Sequence, residues 1–415
     1  MTRAGVVIVG AGQAGVQASV SLRDLGCTES ITLVNGEGRL PYQRPPLSKA
    51  YMLGKIEEEG LRFRHQPYYA QADIRFVGSD PAIAIDRAAR RLRLASGRAL
   101  PYDHLILATG TRNRTLGVPG VELGGVFSLR SIADAERLRE RLASSQHVVV
   151  IGGGFIGLEL AAVAAGLGAK PHVIEAAPRI MARAVSPEVS ACFTRRHAAR
   201  GTSFTFNDTV ARIEGHAGRA VAVTTAAGDV LPADLVLIGV GVLPNVELAQ
   251  AAGLPVANGI VVDELLRTAD PAISAIGDCA VYPSVHANGP LRLESVQNAI
   301  DQARAVAARI VGQPAPYAAV PWFWSDQGED KLQIAGIAAA GDIRIVGGDE
   351  GGARFSVFRF RDGALACVES VNRVTDHMAA RALFKSGRQA RLTPGELGAA
   401  GFDLKSYLSG EAVNA

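Results

Sequence analysis

The sequence predicts an α/β fold with two units of parallel sheet and helix, followed by an α+β domain built on an antiparallel sheet. Two near-identical segments carry this prediction, VVIVGAGQAG at residues 6–15 and VVVIGGGFIG at residues 148–157. The third observation is a change of pattern after Pro316, where short strand-like runs alternate with Gly and Asp turns.

Each of the two segments is a run of apolar residues followed by G-x-G-x-x-G. Such a run indicates a strand buried on both faces of a parallel sheet. The first glycine permits a tight turn, the second lets the backbone approach a pyrophosphate, and the third lets the helix pack on the strand. The helix N-terminus offers free N–H groups and a positive dipole end to the phosphates. The sequence therefore predicts two dinucleotide cradles, formed by Gly10, Gly12 and Gly15 and by Gly152, Gly154 and Gly157.

The remaining elements follow in order along the chain. The first helix leads to the strand ITLVN at 31–35 and then to RLPYQRPPLSK at 39–49, whose prolines exclude a helix interior or a central strand. HLILATG at 104–110 is the next buried strand, and the second unit begins at His147 with the same strand–helix–strand order. Two further strands, each an apolar run that ends at a glycine, are predicted in DLVLIGVGVLPN and AISAIGDCA. In the third domain the predicted strands are PWFWSDQ, LQIAGIAAAG, DIRIVGG, RFSVFRF and ALACVESV, and the predicted helix is DHMAARALFKSG.

Composition excludes several classes of protein. The chain has 415 residues, 48% hydrophobic and 20% charged, which is typical of a soluble globular protein of two or three domains. Its net charge of +3 is too small to indicate nucleic-acid binding. No apolar run reaches the ~20 residues of a membrane span. The start MTRAG runs directly into the first strand, so we expect a cytoplasmic protein that binds no membrane.

The cysteines exclude one kind of redox chemistry. The four cysteines, Cys27, Cys192, Cys279 and Cys367, are far apart, and none stands in a C-x-x-C or C-x₄-C pair. A redox-active dithiol at short spacing and a cysteine-built zinc or iron–sulfur site are therefore not predicted. We expect no metal site, and we expect the cysteines to be small buried hydrophobic residues.

The motifs LPYQRPPLSK, VVVIGGGFIGLE, AIGDCA, ESVQNA and PWFWSDQ occur in this order. Together they resemble the FAD-dependent pyridine-nucleotide reductases, which have two Rossmann-like domains of the glutathione-reductase kind. Within this family the chain is similar to the NADH:ferredoxin reductases of bacterial P450 and dioxygenase systems, the putidaredoxin-reductase type. The resemblance covers essentially the whole chain. It implies an FAD-binding domain at 1–112 and 246–315, an NADH-binding domain at 113–245 and a C-terminal domain at 316–415.

The resemblance also implies the chemistry. Non-covalent FAD occupies the first cradle and NADH the second, and two dinucleotides that exchange hydride need two cradles. Hydride passes from NADH to FAD, and single electrons then pass to a transiently bound [2Fe–2S] ferredoxin that supplies a P450 or related oxygenase. We expect a monomer. The alternatives are a rubredoxin or small-molecule (quinone or monodehydroascorbate) reductase of this fold, and an NADH-dependent flavoprotein that acts as a binding or signalling module.

Several FAD contacts follow from the resemblance. Lys49 is expected beside the isoalloxazine, paired with Glu159, where a cation favours the reduced anionic flavin. Asp278 is expected to bind the ribitol. Gly36 occupies the usual acidic position for the adenosine ribose, so Glu37 either replaces that residue or is a solvated loop charge. The full set of expected FAD contacts is Gly10, Gly12, Ala14, Gly15, Glu37, Arg44, Lys49, Ala82, Ala108, Thr109, Gly110, Arg130, Asp278, Val296 and Trp322.

The second cradle carries a specificity signal. Glu175 ends the strand after the second Gly-rich helix, where a carboxylate binds ribose hydroxyls and repels a 2′-phosphate. This favours NADH, although Arg179 and Arg183 lie close in sequence and leave a 2′-phosphate site open. The expected NADH contacts are Gly152, Gly154, Phe155, Ile156, Gly157, Glu159, Glu175 and Arg183, and the expected catalytic residues are Lys49, Glu159 and Trp322.

Without a thiol relay, electrons leave the flavin directly for the acceptor. Trp322 and Trp324 either wall the flavin and point to this acceptor or are core aromatics of the third domain. Arg64, Arg304, Lys385 and Arg388 are the candidates for a basic rim that binds an acidic ferredoxin, with solvated surface charges as the alternative.

Overall fold

The computed structural model describes residues 4–287, 289–398 and 404–409. Within these residues the chain forms α-helices, short 3-10 helices and many strands. The α-helices are α1 (Gln13–Asp24), α2 (Glu58–Leu61), α3 (Gln66–Gln71), α4 (Ile132–Leu142), α5 (Phe155–Gly166), α6 (Pro187–Ala199), α7 (Glu247–Ala251), α8 (Val296–Ile310), α9 (Val374–Lys385), α10 (Pro394–Leu397) and α11 (Leu404–Ser409). The 3-10 helices are Pro45–Ser48, Gly277–Cys279 and Arg388–Arg391.

The strands are numbered in chain order. They are β1 (Val6–Val9), β2 (Ile31–Val34), β3 (Ile74–Val77), β4 (Ala82–Asp86), β5 (Arg91–Leu94), β6 (Ala99–Pro101), β7 (His104–Leu107), β8 (Thr111–Asn113), β9 (Val126–Phe127), β10 (His147–Ile151), β11 (Lys170–Glu175), β12 (Ser203–Phe206), β13 (Val210–His216), β14 (Arg219–Thr225), β15 (Val230–Pro232), β16 (Leu235–Ile238), β17 (Val242–Pro244), β18 (Val256–Ala257), β19 (Gly259–Val261), β20 (Ile273–Ala275), β21 (Ala280–Ser284), β22 (Gly289–Leu291), β23 (Trp322–Gln327), β24 (Asp330–Gly336), β25 (Ile343–Asp349), β26 (Arg354–Arg361) and β27 (Ala364–Val371).

The chain divides into two compact units. The first comprises the described residues of Met1–Gln43, Glu59–Arg112 and Leu243–Pro321, and the second those of Arg44–Glu58, Asn113–Val242 and Trp322–Ala415. Three separate domains with the boundaries given above stay a prediction.

The first unit is built on a parallel sheet of order β20-β7-β1-β2-β3. All four residues of β1 are buried, because a central parallel strand is covered on both faces. Val6 pairs with Ile31 on one side and with His104 on the other, which places the ends of β1, β2 and β7 at one edge of the sheet. Helix α1 packs against α8. An antiparallel sheet of order β4-β5-β6 and a mixed sheet of order β18-β19-β21-β22 complete the unit.

The second unit contains two principal sheets. The parallel one has the order β12-β11-β10-β16-β9, and the antiparallel one has the order β23-β24-β27-β26-β25. A small antiparallel sheet, β13-β14-β15, adds to the unit. Helix α5 contacts β23, and α9 packs on β24 and β27. The predicted fold class, two parallel-sheet parts and a C-terminal antiparallel sheet, is confirmed.

Two findings concern the described residues as a whole. No helix in the described residues is long and apolar enough to cross a bilayer. No group of three or more His, Cys, Asp or Glu side chains in this same part of the chain is arranged to hold a metal ion.

Candidate functional site

The first cradle lies where β1 ends and α1 begins. Helix α1 starts at Gly12 without a side-chain cap. A Cβ atom at Gly12 would meet nothing within 4 Å, whereas one at Gly15 would collide with the carbonyl oxygen of Gly10. Close helix–strand packing therefore requires glycine at position 15, and open space lies before the N–H groups of the first turn. An uncapped helix N-terminus beside open space fits the pyrophosphate of a dinucleotide.

The turn that carries Asp278 lies beside this cradle. A Cβ atom at Gly277 would be 3.1 Å from Cβ of Ala14. The N–H of Gly277 donates to Oε1 of Gln302, on α8, over 2.7 Å. Cys279 follows in the same turn, and burial raises the pKa of its thiol, so this cysteine is a protonated packing residue. The structure thus brings Ala14 and the half-buried Asp278 together at one edge of the sheet.

The loop after β2 binds the side chain of Glu37 and leaves little space for a side chain at position 36. The side-chain amide of Asn35 donates to the carbonyl oxygens of Glu37 and Arg39, both over 3.0 Å, and its Oδ1 accepts from the N–H of Glu37 over 3.2 Å. The hydroxyl of Tyr42 donates to Oε2 of Glu37 over 2.7 Å. A Cβ atom at Gly36 would lie 3.2 Å from Cβ of Pro81, which is a tight contact. Glu37 is therefore the carboxylate that this loop holds in place.

The segment after β7 is held by Asn245. Its side-chain amide donates to the carbonyl oxygen of Thr109 over 2.8 Å, its N–H donates to Gly110, and its own carbonyl accepts from the Thr109 hydroxyl over 2.7 Å. Ala108 lies against Gly10. The other expected FAD contacts in this unit are Ala82, the first residue of β4, and Val296, the first residue of α8.

The second cradle repeats the geometry of the first. Helix α5 also starts without a side-chain cap, at Gly154, and a Cβ atom there would meet nothing within 4 Å. A Cβ atom at Gly157 would collide with the carbonyl oxygen of Gly152, as at the first cradle. Ser131, Ser186 and Ser295 cap α4, α6 and α8, whereas α3, α7 and α9 also begin without a side-chain cap. The two Gly-rich helices therefore keep free N–H groups at their N-termini.

Glu175 is fixed next to the second cradle. Its Oε2 accepts from the N–H of Gly153 over 2.7 Å, and its Oε1 accepts from the N–H of Ala177 over 2.8 Å. These two bonds hold the carboxylate at the end of β11, beside the Gly-rich turn. Of the two nearby arginines, Arg179 donates to the carbonyl of Ala182 over 2.8 Å, and burial lowers its pKa. Arg183 is exposed.

A buried ion pair lies at the start of α5. Nζ of Lys49 is 2.7 Å from Oε2 of Glu159, whose side chain is only 5% exposed. The Ser48 hydroxyl donates to the same carboxylate oxygen over 2.5 Å, and the Ser325 hydroxyl donates to Oε1 over 2.7 Å. The structure therefore brings together the predicted pair Lys49 and Glu159. Each carboxylate oxygen has at least one donor, which compensates for its burial.

Further predicted residues lie around this pair in the second unit. Phe155, on α5, packs on Phe323 of β23 with ring centroids 4.6 Å apart. Its neighbour Ile156 is 43% exposed. Arg44 donates from Nη1 to the carbonyl oxygen of Arg130 over 2.5 Å.

Trp322 is the first residue of β23, and its ring lies near the side chains of Trp324, His377 and Arg381. Its ring centroid is 5.6 Å from that of Trp324 and 5.8 Å from that of His377, and the Arg381 guanidinium lies 4.1 Å from it. His377 is buried, and burial lowers its pKa to about 4. Trp322 is itself half-buried, as is Trp324.

The four predicted partner-binding residues differ in their surroundings. Arg64 and Arg304 belong to the first unit, where Arg64 lies 5.2 Å from the ring of Tyr68 and Arg304 is 63% exposed. Lys385 is exposed at the end of α9, in the second unit. Arg388 donates to the carbonyl oxygens of Leu408 and Tyr407 over 2.6 and 3.0 Å, so it stabilises the end of α11. The role of all four in partner binding stays a prediction.

Sequence reasoning missed the residues that orient the predicted ones. Ser48 and Ser325 bind Glu159, Tyr42 binds Glu37, and Gln302 binds the turn of Asp278. A period of two along PWFWSDQ places Ser325 on the face opposite the tryptophans, which is the one available signal for its role.

Comparison with known proteins shows the family to which this chain belongs. A profile described as pyridine nucleotide-disulphide oxidoreductase matches residues 4–303, and one described as reductase C-terminal matches residues 322–408. Rhodocoxin reductase of Rhodococcus erythropolis is 50% identical over 400 residues, which cover 96% of this chain and 93% of that protein.

Solved structures agree. The ferredoxin reductase for the CYP199A2 system from Rhodopseudomonas palustris superposes with a TM-score of 0.95 at 48% identity, covering 97% of this chain and 99% of that one. The putidaredoxin reductase in its covalent complex with putidaredoxin gives a TM-score of 0.94 at 38% identity, covering 98% of each chain. The chain therefore belongs to the pyridine nucleotide-disulphide oxidoreductase family, and it is an oxidoreductase that uses FAD and NADH.

Proposed function

We propose that this chain is an NADH:ferredoxin reductase that supplies electrons to a [2Fe–2S] ferredoxin of a cytochrome P450 or related oxygenase system. The observation that carries the proposal is the near full-length similarity to reductases named for ferredoxins, one of them solved in complex with its ferredoxin. When bound, FAD accepts hydride from NADH and releases electrons one at a time.

In the first unit, the residues present fit FAD. The uncapped start of α1 at Gly12 offers N–H groups to the pyrophosphate. Glu37, held by Tyr42, accepts hydrogen bonds from the hydroxyls of the adenosine ribose. Asp278 binds the ribitol, on a turn that Gln302 positions. From the family resemblance we assign to FAD also Ala14, Ala82, Ala108, Thr109, Gly110 and Val296 of this unit, and Arg44, Lys49, Arg130 and Trp322 of the second.

In the second unit, the residues present fit NADH. The uncapped start of α5 at Gly154 receives the pyrophosphate. The carboxylate of Glu175, fixed by two backbone N–H groups, accepts from the ribose hydroxyls and repels a 2′-phosphate. Because Arg179 is partly buried and donates to Ala182, it is a poor ligand for a 2′-phosphate. Phe155, Ile156 and Arg183 are the further NADH contacts that we assign.

Lys49 and Glu159 act on the flavin as a charged pair. The ammonium group of Lys49 supplies a fixed positive charge that favours the reduced anionic form. Glu159 keeps this ammonium in place through the 2.7 Å ion pair, and Ser48 donates to the same carboxylate oxygen. The carboxylate is poorly hydrated, so the pair is screened less than a surface ion pair would be.

The remaining parts of the proposal concern the acceptor. The chain's four cysteines are free and distant in sequence, so we propose direct transfer from the flavin to the acceptor, with Trp322 next to that path. We further propose a transient complex with the ferredoxin and a monomeric enzyme.

Two other expectations stay predictions. One is the cytoplasmic location, and the other is the set of domain boundaries, with the FAD-binding domain at 1–112 and 246–315, the NADH-binding domain at 113–245 and the C-terminal domain at 316–415.

One assay separates the acceptors. The purified holoenzyme is given NADH and cytochrome c, with and without a [2Fe–2S] ferredoxin, with rubredoxin and with a quinone. We expect cytochrome c reduction to depend on the ferredoxin. Equal rates without it would reject the ferredoxin proposal in favour of a small-molecule reductase, and dependence on rubredoxin alone would assign that carrier.

Flavin released from the protein by acid should be FAD. Release of FMN would contradict the cofactor assignment at Gly10–Gly15, because FMN lacks the adenosine.

A further inference from the structure

Strand β23 presents two chemically different faces. Because successive residues of a strand point to opposite sides, Trp322 and Trp324 share one face, while Phe323, Ser325 and Gln327 share the other. The side chains of Ser325 and Gln327 have no exposed surface. On this second face Phe323 packs on Phe155 at the start of α5. The buried polar residues therefore meet the helix that carries Glu159.

Ser325, Gln327 and His197 form a continuous chain of hydrogen bonds that ends on this carboxylate. The Ser325 hydroxyl donates to Oε1 of Glu159 over 2.7 Å. Nε2 of Gln327 donates to the Ser325 oxygen over 3.4 Å and to the sulfur of Met181 over 3.6 Å. Oε1 of Gln327 lies 2.8 Å from Nε2 of His197. We call Ser325, Gln327 and His197 the donor chain.

The direction of the donor chain is fixed by its middle member. A glutamine amide donates only from nitrogen and accepts only at oxygen, so Nε2 of His197 must carry the proton that Gln327 accepts. The other ring nitrogen, Nδ1, is buried and has no hydrogen-bond partner within the described residues. Burial also lowers the pKa of His197, which agrees with a neutral ring. All donors in the chain therefore point towards Glu159.

The two oxygens of Glu159 are held unequally. Lys49 and Ser48 both bind Oε2, whereas Ser325 is the donor found on Oε1 in the described part of the chain. If Ser325 were lost, Oε1 would have no donor among the described residues, and the carboxylate could rotate about its Cγ–Cδ bond, which moves Oε2 as well. The position of the Lys49 ammonium would then vary, because its ion-pair partner would no longer have one orientation.

We propose that Ser325 is a positioning residue for the Lys49–Glu159 pair, and that Gln327 and His197 complete the donor chain that gives Glu159 a single orientation. The C-terminal antiparallel sheet thereby sets the electrostatics of hydride transfer, in addition to carrying Trp322. This inference rests on the proposed function, in which Lys49 acts on the flavin.

The test uses Ser325→Ala in the full-length holoenzyme. We expect the limiting rate of flavin reduction at saturating NADH to fall about tenfold, because small misplacements of a charged group near the reacting atoms are costly. The flavin midpoint potential should become more negative, and the Kd for NADH should stay within about twofold. A wild-type rate together with a wild-type potential would overturn the inference.

The chain offers a matched control. Ser356, on β26 of the same antiparallel sheet, is also fully buried and also donates to a buried carboxylate, Asp376, over 2.7 Å. Ser356→Ala should therefore cost similar stability and leave the potential and the reduction rate unchanged. If both variants shifted the potential equally, the effect of Ser325→Ala would be general loosening of the sheet, and the inference would be wrong.

Two further variants keep the inference separable from the proposed function. Lys49→Ala should itself slow reduction and shift the potential, and adding Ser325→Ala to it should change neither further, because both act through one charge. An unchanged Lys49→Ala enzyme would reject the proposed role of Lys49. A changed Lys49→Ala enzyme together with an unchanged Ser325→Ala enzyme would reject only the inference.

If Ser325→Ala fails to fold, Gln327→Met breaks the donor chain one hydrogen bond further from Glu159. The expected loss in the rate of flavin reduction is then about threefold. No loss of rate would reject the donor chain.

Discussion

The ammonium nitrogen of Lys49 lies 2.7 Å from the buried carboxylate oxygen of Glu159, which joins the Pro-rich segment to the first turns of α5. An exposed ion pair would contribute little to stability. The Glu159 side chain, however, is 5% exposed, and its carboxylate also accepts hydrogen bonds from two serine hydroxyls. The pair therefore acts as one electrostatic unit, and its members should respond to mutation together.

Replacing Lys49 by Ala should make the flavin harder to reduce. In the proposed site the reduced anionic flavin would lose a nearby cation, and the buried Glu159 carboxylate would keep the two serine hydroxyls but no cationic partner among the described residues. We expect a more negative midpoint potential, measured by equilibrium titration with a reference dye, and an unfolding free energy lower by about 2 kcal/mol. Lys55→Ala, which removes the next lysine along the chain, is the control. An unchanged potential and reduction rate in Lys49→Ala would remove Lys49 from the proposed site.

Replacing Glu175 by Ser should weaken NADH binding and narrow the gap to NADPH. The variant loses both the acceptor for the ribose hydroxyls and the negative charge that repels a 2′-phosphate. A charged hydrogen-bond partner contributes about 1.5–3 kcal/mol, so kcat/KM for NADH should fall roughly 10- to 100-fold. The measurement is kcat/KM for each nucleotide with ferricyanide as acceptor. Unchanged values for both nucleotides would contradict the assignment.

Replacing Tyr42 by Phe should lower the affinity for FAD but not for FMN. The change removes the hydroxyl that orients Glu37, and FMN has no adenosine ribose for Glu37 to bind. We expect the Kd of the apoprotein for FAD to rise about fivefold. This loss of binding free energy is smaller than that of a whole charged hydrogen bond, because Glu37 itself stays in place. The control is Tyr69→Phe, since the buried Tyr69 hydroxyl has no partner in the described residues and burial raises its pKa to about 12. An equal loss of FMN affinity would indicate a general effect on the unit.

Reversing the charge at Arg304 should weaken ferredoxin binding selectively. A basic residue on the partner surface steers an acidic ferredoxin, so Arg304→Glu should raise the KM for ferredoxin and leave NADH–ferricyanide activity intact. The difference should shrink between low salt and about 0.5 M salt, because salt screens exposed charges. Arg93→Glu, at an exposed residue of β5 that is not among the proposed rim residues, makes the same charge change and is the control. If Arg304→Glu and wild type reduce ferredoxin equally at low ionic strength, Arg304 lies outside the docking surface.

His377 should make the protein less stable in mild acid. Its pKa is lowered to about 4 in the fold by burial, against about 6.5 in the unfolded chain. Below pH 6.5 only the unfolded state takes up the proton, so stability that is complete above that pH falls as pH drops towards 4. The expected loss between pH 7.5 and pH 5 is about 2 kcal/mol.

His377→Phe provides the comparison for this loss. Neither ring nitrogen of His377 has a hydrogen-bond partner in the described residues, so phenylalanine removes no hydrogen bond and keeps a ring beside Trp322. Chemical denaturation at the two pH values should therefore show a smaller acid-induced loss for His377→Phe than for wild type. The same loss in both proteins would show that His377 stays charged or accessible in the fold.

The sequence predicted the elements that repeat a strong pattern. The buried runs of β1 and β10, and the glycines that follow them, have one structural solution, so both cradles were predicted correctly as strand–turn–helix units. The small antiparallel sheets β4-β5-β6 and β13-β14-β15 were not predicted, because their short strands alternate weakly and lie between stronger patterns.

The site was predicted less completely than the fold. Lys49 and Glu159 were paired through resemblance, and the structure brings them together. Ser325 was not singled out, because a serine in a strand gives no local signal and its partner Glu159 lies far away along the chain. The contacts that favour Glu37 over position 36 could not be predicted from the sequence, because the contact with Pro81 is non-local and the bond from Tyr42 depends on the folding of the loop. The role of Glu37 at the ribose stays a prediction.

The two-faced arrangement of β23 also limits how this chain can vary. A substitution at Ser325 or Gln327 alters one contact, but inserting or deleting a single residue between Trp322 and Gln327 would exchange the two faces of everything beyond it. An insertion between Trp322 and Trp324 would place an indole against the Glu159 carboxylate, whereas a deletion there would place the Ser325 hydroxyl where Trp324 now packs beside Trp322. The spacing within this strand is therefore under stricter constraint than the identity of most of its residues, and insertions of functional segments belong in the flanking turns.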